Sequence, residues 1–240
     1  MHSNKLISLL IALQFITFAS AQLSSSNLPI VVVTTEDEIP DEPKIEGTIG
    51  IIYDTNGGIN SINDPFNYHS SNLAIETRGN STQGFDKKTY SLELRNLADE
   101  DTSVNLFGMG GEEDWILHAM VIDKSQVRIP MSFHLAQRMG QYASEFKYVE
   151  LVLNGDYRGI YILVEKIKRD DDRVDIAKLD EDDLAGDSLT GGYILRMDWL
   201  DDPQGFESNY NSQGGNPMFY QWHYPKAEKI KPQQALYIQD

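Results

Sequence analysis

The chain contains no cysteine in its 240 residues. Disulfide staples, cysteine-ligated metal centres and thiol nucleophiles are therefore excluded, and the fold must rely on its core. Long apolar runs are scarce as well. After residue 21 no stretch approaches the ~20 apolar residues that span a bilayer. Positive charge is the third shortage: 20 Lys and Arg stand against 37 Asp and Glu, giving a net charge of −17. Such a surface repels phosphate backbones, which argues against nucleic acid as a partner. The acid collects at residues 36–42, 99–101, 112–114 and 170–187, and runs of this kind are ordinarily solvated loops.

Other absences remove particular chemistries. No GxxxxGK[ST] phosphate loop, HExxH zinc helix or GxSxG nucleophile elbow occurs. Gly108-Met109-Gly110-Gly111-Glu112-Glu113 fails as a dinucleotide fingerprint, because Glu113 stands where the third glycine belongs. His69, His118, His134 and His223 are scattered without metal-ligand spacing. The aspartate runs at 170–172 and 180–183 lack the alternation and glycine of a calcium loop.

What is present begins with a leader. Lys5, an apolar stretch over residues 6–18 and the small residues Ala19-Ser20-Ala21 have the form of a secretory signal peptide over residues 1–21. This predicts a secreted or cell-envelope protein, with no membrane span after cleavage and possible cell-surface association. Residues 22–28, with Ser24-Ser25-Ser26, read as a polar spacer, and residues 29–240 as one domain.

Within that domain strand patterns dominate. The β-branched run at residues 29–35 predicts a buried strand, and residues 45–53 a second one, followed by a turn at Asn56-Gly57-Gly58. Residues 72–78 and 88–95 alternate as a hairpin, with Leu73, Ile75, Tyr90, Leu92 and Leu94 facing inward. Trp115-Ile116-Leu117 reads as a short buried segment. Asn154-Gly155 between residues 147–153 and 157–167 is a strong two-residue hairpin signal, and residues 192–197 form another short strand. The spacing predicts a helix over residues 124–139, with Asp123 and Gln126 as a capping box and Gly140 as its stop. Val127, Met131, Leu135 and Met139 define its expected buried stripe, and Pro130 kinks it or delays its start. A second helix opens at Pro232, with Ala235, Leu236 and Ile238 toward a core.

The turn at residues 78–84 is the main candidate site. Gly79 and Gly84 allow backbone amides to approach an anion, and Ser81 and Thr82 add hydroxyls. An ordinary polar hairpin tip is the competing interpretation of the same residues. Lys88 shares a face with Tyr90 and Leu92, so it points inward and requires an anionic partner, with Glu76 and Glu165 both open. Arg128 near the helix N-terminus opposes the helix dipole, which fits either a structural ion pair or a phosphate contact.

Seven segments follow one another in a characteristic order. They are Arg78-Gly79-Asn80-Ser81-Thr82, Lys87-Lys88-Thr89-Tyr90-Ser91-Leu92, Asp123-Lys124-Ser125-Gln126-Val127-Arg128 and Asn154-Gly155-Asp156-Tyr157-Arg158-Gly159. Val164-Glu165-Lys166-Ile167, Gly191-Gly192-Tyr193-Ile194-Leu195 and His223-Tyr224-Pro225-Lys226 complete the set. This order resembles the spore-coat CotH kinase family of secreted, atypical protein kinases. The resemblance implies an α+β, protein-kinase-like fold: a strand-rich N-terminal lobe and an incomplete helical C-terminal lobe. It also implies ATP with Mg2+ or Mn2+ as cofactors, and transfer of the γ-phosphate to hydroxyls of a protein substrate. Arg78, Gly79, Ser81, Lys88, Glu165 and Lys166 become the nucleotide-binding candidates, with residues 164–167 as the adenine-contacting segment. Arg128 is carried along as a structural or phosphate contact. The family's catalytic and metal-binding aspartates lie farther toward the C-terminus, the latter in a Trp-Asp-x-Asp-like segment that this sequence lacks. No catalytic residue or metal ligand is therefore assigned, and the chain is expected to be a fragment, inactive alone. The alternative is a non-catalytic, adhesin-like or envelope structural protein on the same scaffold.

Overall fold

The computed structural model describes residues 22–200 and 204–239. The leader expected at residues 1–21 lies outside them. Seven strands form the body: β1 (Ile30–Thr35), β2 (Ile45–Ile52), β3 (His69–Arg78), β4 (Thr89–Arg95), β5 (Asp114–His118), β6 (Phe146–Leu153) and β7 (Asp156–Glu165). They close into a barrel in the order β6-β7-β5-β4-β3-β2-β1. Every neighbouring pair is antiparallel except the closing one, where β1 runs parallel to β6 with Val31 opposite Leu151. Closure leaves no unpaired edge, so the apolar strands are protected from pairing with other chains.

Period-two alternation explains the core. Val31, Ile51, Leu73, Leu92, Trp115 and Leu151 belong to one buried cluster inside the barrel, each 1% exposed or less. Trp115 is the largest of these side chains, and its Nε1–H donates to the Glu112 carbonyl at 2.9 Å, so its polar edge is satisfied. The Asn154-Gly155 turn has φ of 52° and 82°, the doubly left-handed backbone that suits the strand twist of a two-residue hairpin. The spacer is anchored rather than loose. Ser25 and Ser26 pair with Ser61 and Asn60, and Leu23 packs on Ile30, Ile52 and Val152.

The kinase-like α+β architecture with a helical C-terminal lobe does not hold. Among the described residues there are two α-helices, α1 (Arg128–Arg138) and α2 (Pro232–Gln239). Beyond β7 the chain runs through acidic loops and a 3-10 turn at Gly186–Thr190 into a second sheet, β8 (Ile194–Arg196), β9 (Gly205–Asn211) and β10 (Pro217–Tyr224), ordered β8-β10-β9. The physical reason lies in residue types. Residues 169–187 carry charge without apolar helical spacing, while β10 is dense in aromatic strand formers. Phe206 packs on Tyr220 and Trp222 with ring centroids 5.8 and 5.0 Å apart, a cross-strand cluster that stabilises the small sheet.

Both helices also depart from their expected faces. The capping box does not form: Gln126 has φ of 56°, and no side chain caps α1 at Val127. Instead the Asp123 carboxylate accepts from the backbone N–H groups of Ser125, Val127 and Arg128 at 3.1, 3.1 and 2.8 Å, organising the turn before the helix. Pro130 falls in the first turn, where its missing N–H costs nothing, so it delays the helix rather than kinking it. The expected stripe of Val127, Met131, Leu135 and Met139 is exposed, while Ile129, Pro130 and Phe133 turn inward, Ile129 and Phe133 joining the cluster that holds Phe146 and Tyr148. In α2 the buried residue is Gln234, which donates to the Asp180 carbonyl at 2.8 Å, and Leu236 faces solvent.

Candidate functional site

A cavity of about 910 Å³ opens where β3 and β7 end, facing the second sheet. Its apolar lining comes from Ile116, Val164, Ile167, Leu195 and Trp222, with Phe133 of α1. Arg78, Lys166, Arg196 and Lys226 supply cations, and Asp198 and Glu228 oppose them. No carboxylate lies within ion-pair distance of Arg78 or Lys226 among the described residues. In a chain of net charge −17, a described lining in which four cations outnumber the three carboxylates Glu165, Asp198 and Glu228 is locally the more favourable place for an anion.

The Arg78 hairpin has the geometry to approach one. Gly79 sits at φ of +103°, and a Cβ there would lie 2.2 Å from Thr82 Oγ1, so only glycine fits. The Gln83 side-chain amide donates to the Gly79 carbonyl at 2.6 Å and closes the loop. Thr82, rather than Ser81, lines the cavity. Lys88 stays outside the lining. Its ammonium donates to the Gln83 carbonyl, not to Glu76 or Glu165, and so braces the loop from beneath. Lys87 likewise finds a carbonyl, that of Ile160 at 2.5 Å, and lies 4.5 Å from the centre of the Tyr161 ring. Main-chain oxygen and an aromatic face, rather than a carboxylate, are thus the partners of these two lysines.

At the other wall Glu165 and Lys166 do line the cavity, but with committed side chains. Glu165 pairs with the buried Arg173 at 2.9 Å and accepts the Glu145 amide at 2.8 Å. Burial pushes the Glu165 carboxyl upward, against the pull of that amide and of Arg173. Lys166 bonds Asp114 at 3.0 Å. Arg128 lies apart from the lining, exposed, and 3.7 Å from Asp123. The structure therefore brings together Arg78, Gly79, Glu165 and Lys166, and leaves Ser81, Lys88 and Arg128 outside the lining.

Two of the histidines that lack metal-ligand spacing, His118 and His223, line the cavity. His118 Nδ1 accepts the Met120 amide at 3.0 Å, which places its proton on Nε2. Burial pushes its pKa down, and Arg78 and Lys87 push the same way. His223 Nε2–H donates to the Ile167 carbonyl at 2.8 Å, with burial again depressing its pKa. Metal spacing was the wrong filter for them, since both act through backbone hydrogen bonds. Trp222, Arg196 and Lys226 also come from the second sheet and the segment after it, and only the quoted His-Tyr-Pro-Lys segment gave a signal for the last.

The acidic triple Glu112, Glu113 and Asp114 brings three carboxylates within 4.8 Å of one another. Lys168 reaches all three at 2.5, 2.9 and 3.7 Å, and Lys166 takes Asp114 as well. Lys44 lies 3.8 Å from Asp114 as a third cation, so all three carboxylates are engaged by lysines, and none of the three lines the cavity. A metal ion there would have to displace Lys168, which all three carboxylates share, so the set does not fit a metal.

Barrel and cavity together define a closed β-barrel module with a cavity of mixed cationic and apolar lining at one end. The family model of the CotH kinase protein matches residues 75–240. The chain belongs to the CotH kinase family. No curated protein matches it.

Proposed function

We propose that the cavity binds ATP, and that in the complete protein it serves an exported CotH-type kinase that transfers the γ-phosphate to protein hydroxyls with Mg2+ or Mn2+. One observation carries this: the cationic Arg78 hairpin and the apolar strand end at residues 164–167 face each other across one cavity of about 910 Å³. A purine ring fits the wall of Ile116, Val164 and Trp222, while Arg78 and Lys226 supply charge-assisted bonds to phosphate. Glycine at position 79 lets the backbone come close to the same oxygens. The leader pattern at residues 1–21 supports export.

The test is titration of Mg-ATP into the purified chain, followed by transfer of labelled γ-phosphate to protein by the full-length product. Saturable binding, lost on Arg78→Ala, supports nucleotide use, and label transfer supports the kinase activity. Absence of any nucleotide binding would sink the proposal and leave a non-catalytic surface-binding protein.

A further inference from the structure

Val127, Met131, Leu135 and Met139 leave half or more of their surface in water, at 50, 55, 52 and 76% exposed. Spaced every fourth residue, they line one side of α1 and its two ends over roughly 18 Å of helix. The helix turns Ile129, Pro130 and Phe133 the other way, so this side is presented outward by design of the packing. Arg128 and Arg138 fall within the same exposed arc, Arg128 with 78% of its side chain in water. Residues 124–141 hold Lys124, Arg128 and Arg138 and not one Asp or Glu, in a chain of net charge −17.

We propose that this face docks an acidic, amphipathic polypeptide segment. Apolar side chains of the partner would sit against Met131 and Leu135, and its carboxylates would pair with Arg128 and Arg138. Charge complementarity selects the partner: the remainder of the chain is even more acidic than the whole, yet residues 124–141 carry three cations and no carboxylate. Asp123, just before them, lies 3.7 Å from Arg128, and Arg138 is in no ion pair among the described residues. Methionine suits such a contact because its flexible thioether adapts to different side chains. An anionic bilayer fits less well. Its flat surface would also meet the acidic remainder of the chain within a Debye length of about 8 Å, whereas a narrow helix touches α1 alone. The face is separate from the cavity, to which α1 gives only Phe133.

The test uses a fluorescent helical peptide with leucine along one face and glutamate flanking it, titrated against the whole chain by anisotropy. An isomer with lysine for each glutamate and phosphatidylglycerol vesicles are run beside it. The acidic peptide is expected to bind saturably, and at least about tenfold more tightly than the lysine isomer. Leu135→Glu and Arg138→Glu should each weaken it by about tenfold, a loss of 1.4 kcal/mol, with the unfolding midpoint unchanged because both positions are exposed. No saturable binding, equal binding of the lysine isomer, or full binding by Leu135→Glu would overturn the proposal. Vesicle binding that Leu135→Glu abolishes, without peptide binding, would overturn it in favour of lipid.

Discussion

Glu165 Oε1 accepts a hydrogen bond from Arg173 Nη1 at 2.9 Å, and the two side chains are only 3% and 0% exposed. The same Nη1 donates to the carbonyls of Met109 and Asp172 at 2.7 and 2.9 Å, and the guanidinium lies 4.9 Å from the Trp115 ring centre. The pair thus ties the end of β7 to two loops and to the barrel core. Arg173→Ala would leave a buried carboxylate without its cation, at an expected loss of about 3–5 kcal/mol. The double variant Glu165→Leu with Arg173→Met removes both charges and should lose less than Arg173→Ala alone. Urea unfolding of the single and double variants decides this, and a larger loss in the double would show that uncompensated charge is not the main cost.

His118 makes stability depend on pH. Its folded pKa lies below the ordinary 6.5 because burial, Arg78 and Lys87 all disfavour the charged ring. The unfolded chain therefore takes up a proton before the folded one does. The stabilising contribution is complete above about 6.5 and is lost as pH falls toward the folded value. His223 shifts in the same direction and adds to the effect. Thermal unfolding followed from pH 7.5 to 5.5 should show a falling midpoint, and the fall should be shallower in His118→Asn. An identical slope in the variant would remove His118 from the account.

Strand identities were legible because alternation and the Asn154-Gly155 turn are local signals. The inward set Leu73, Ile75, Tyr90, Leu92 and Leu94 is buried throughout. Barrel closure was not legible, since the parallel return of β1 to β6 joins residues 120 positions apart and leaves no mark on either strand. The buried side of α1 was read wrongly for a related reason. A four-residue apolar repeat shows that one side is apolar, but the partner on the other side, Phe146 and Tyr148, decides which side is covered. At the site, Arg78 and Gly79 were visible through turn chemistry, while His118, Arg196 and Trp222 reach the cavity only through tertiary placement.

Arg78 and Lys226 should matter more to nucleotide affinity than Lys88. The first two line the cavity, whereas the Lys88 ammonium is held by the Gln83 carbonyl. A charged hydrogen bond is worth about 1.5–3 kcal/mol, so Arg78→Ala and Lys226→Ala should each weaken ATP binding roughly tenfold or more. Lys88→Ala should change it less than about threefold, acting only through the loop. Calorimetric titration of Mg-ATP into the three variants makes the comparison. A loss at Lys88 as large as that at Arg78 would mean that the lysine turns into the cavity when ligand is present.

Asn154 serves both the hairpin turn and the closure of the barrel. Its φ of 52° demands a residue tolerant of left-handed backbone. Its Oδ1 accepts the Thr35 amide at 2.8 Å and its Nδ2 donates to Thr35 Oγ1 at 3.1 Å, joining the end of β1 to the turn after β6. Asn154→Gly keeps the backbone freedom and removes the bonds, for an expected loss of about 1–2 kcal/mol. Asn154→Ala removes the bonds and adds about 1 kcal/mol or more of left-handed strain. Equilibrium unfolding should therefore rank the natural chain above Asn154→Gly, and Asn154→Ala last. If alanine equals glycine, the turn relaxes out of the left-handed region without cost, and only the Thr35 bonds make asparagine the better residue.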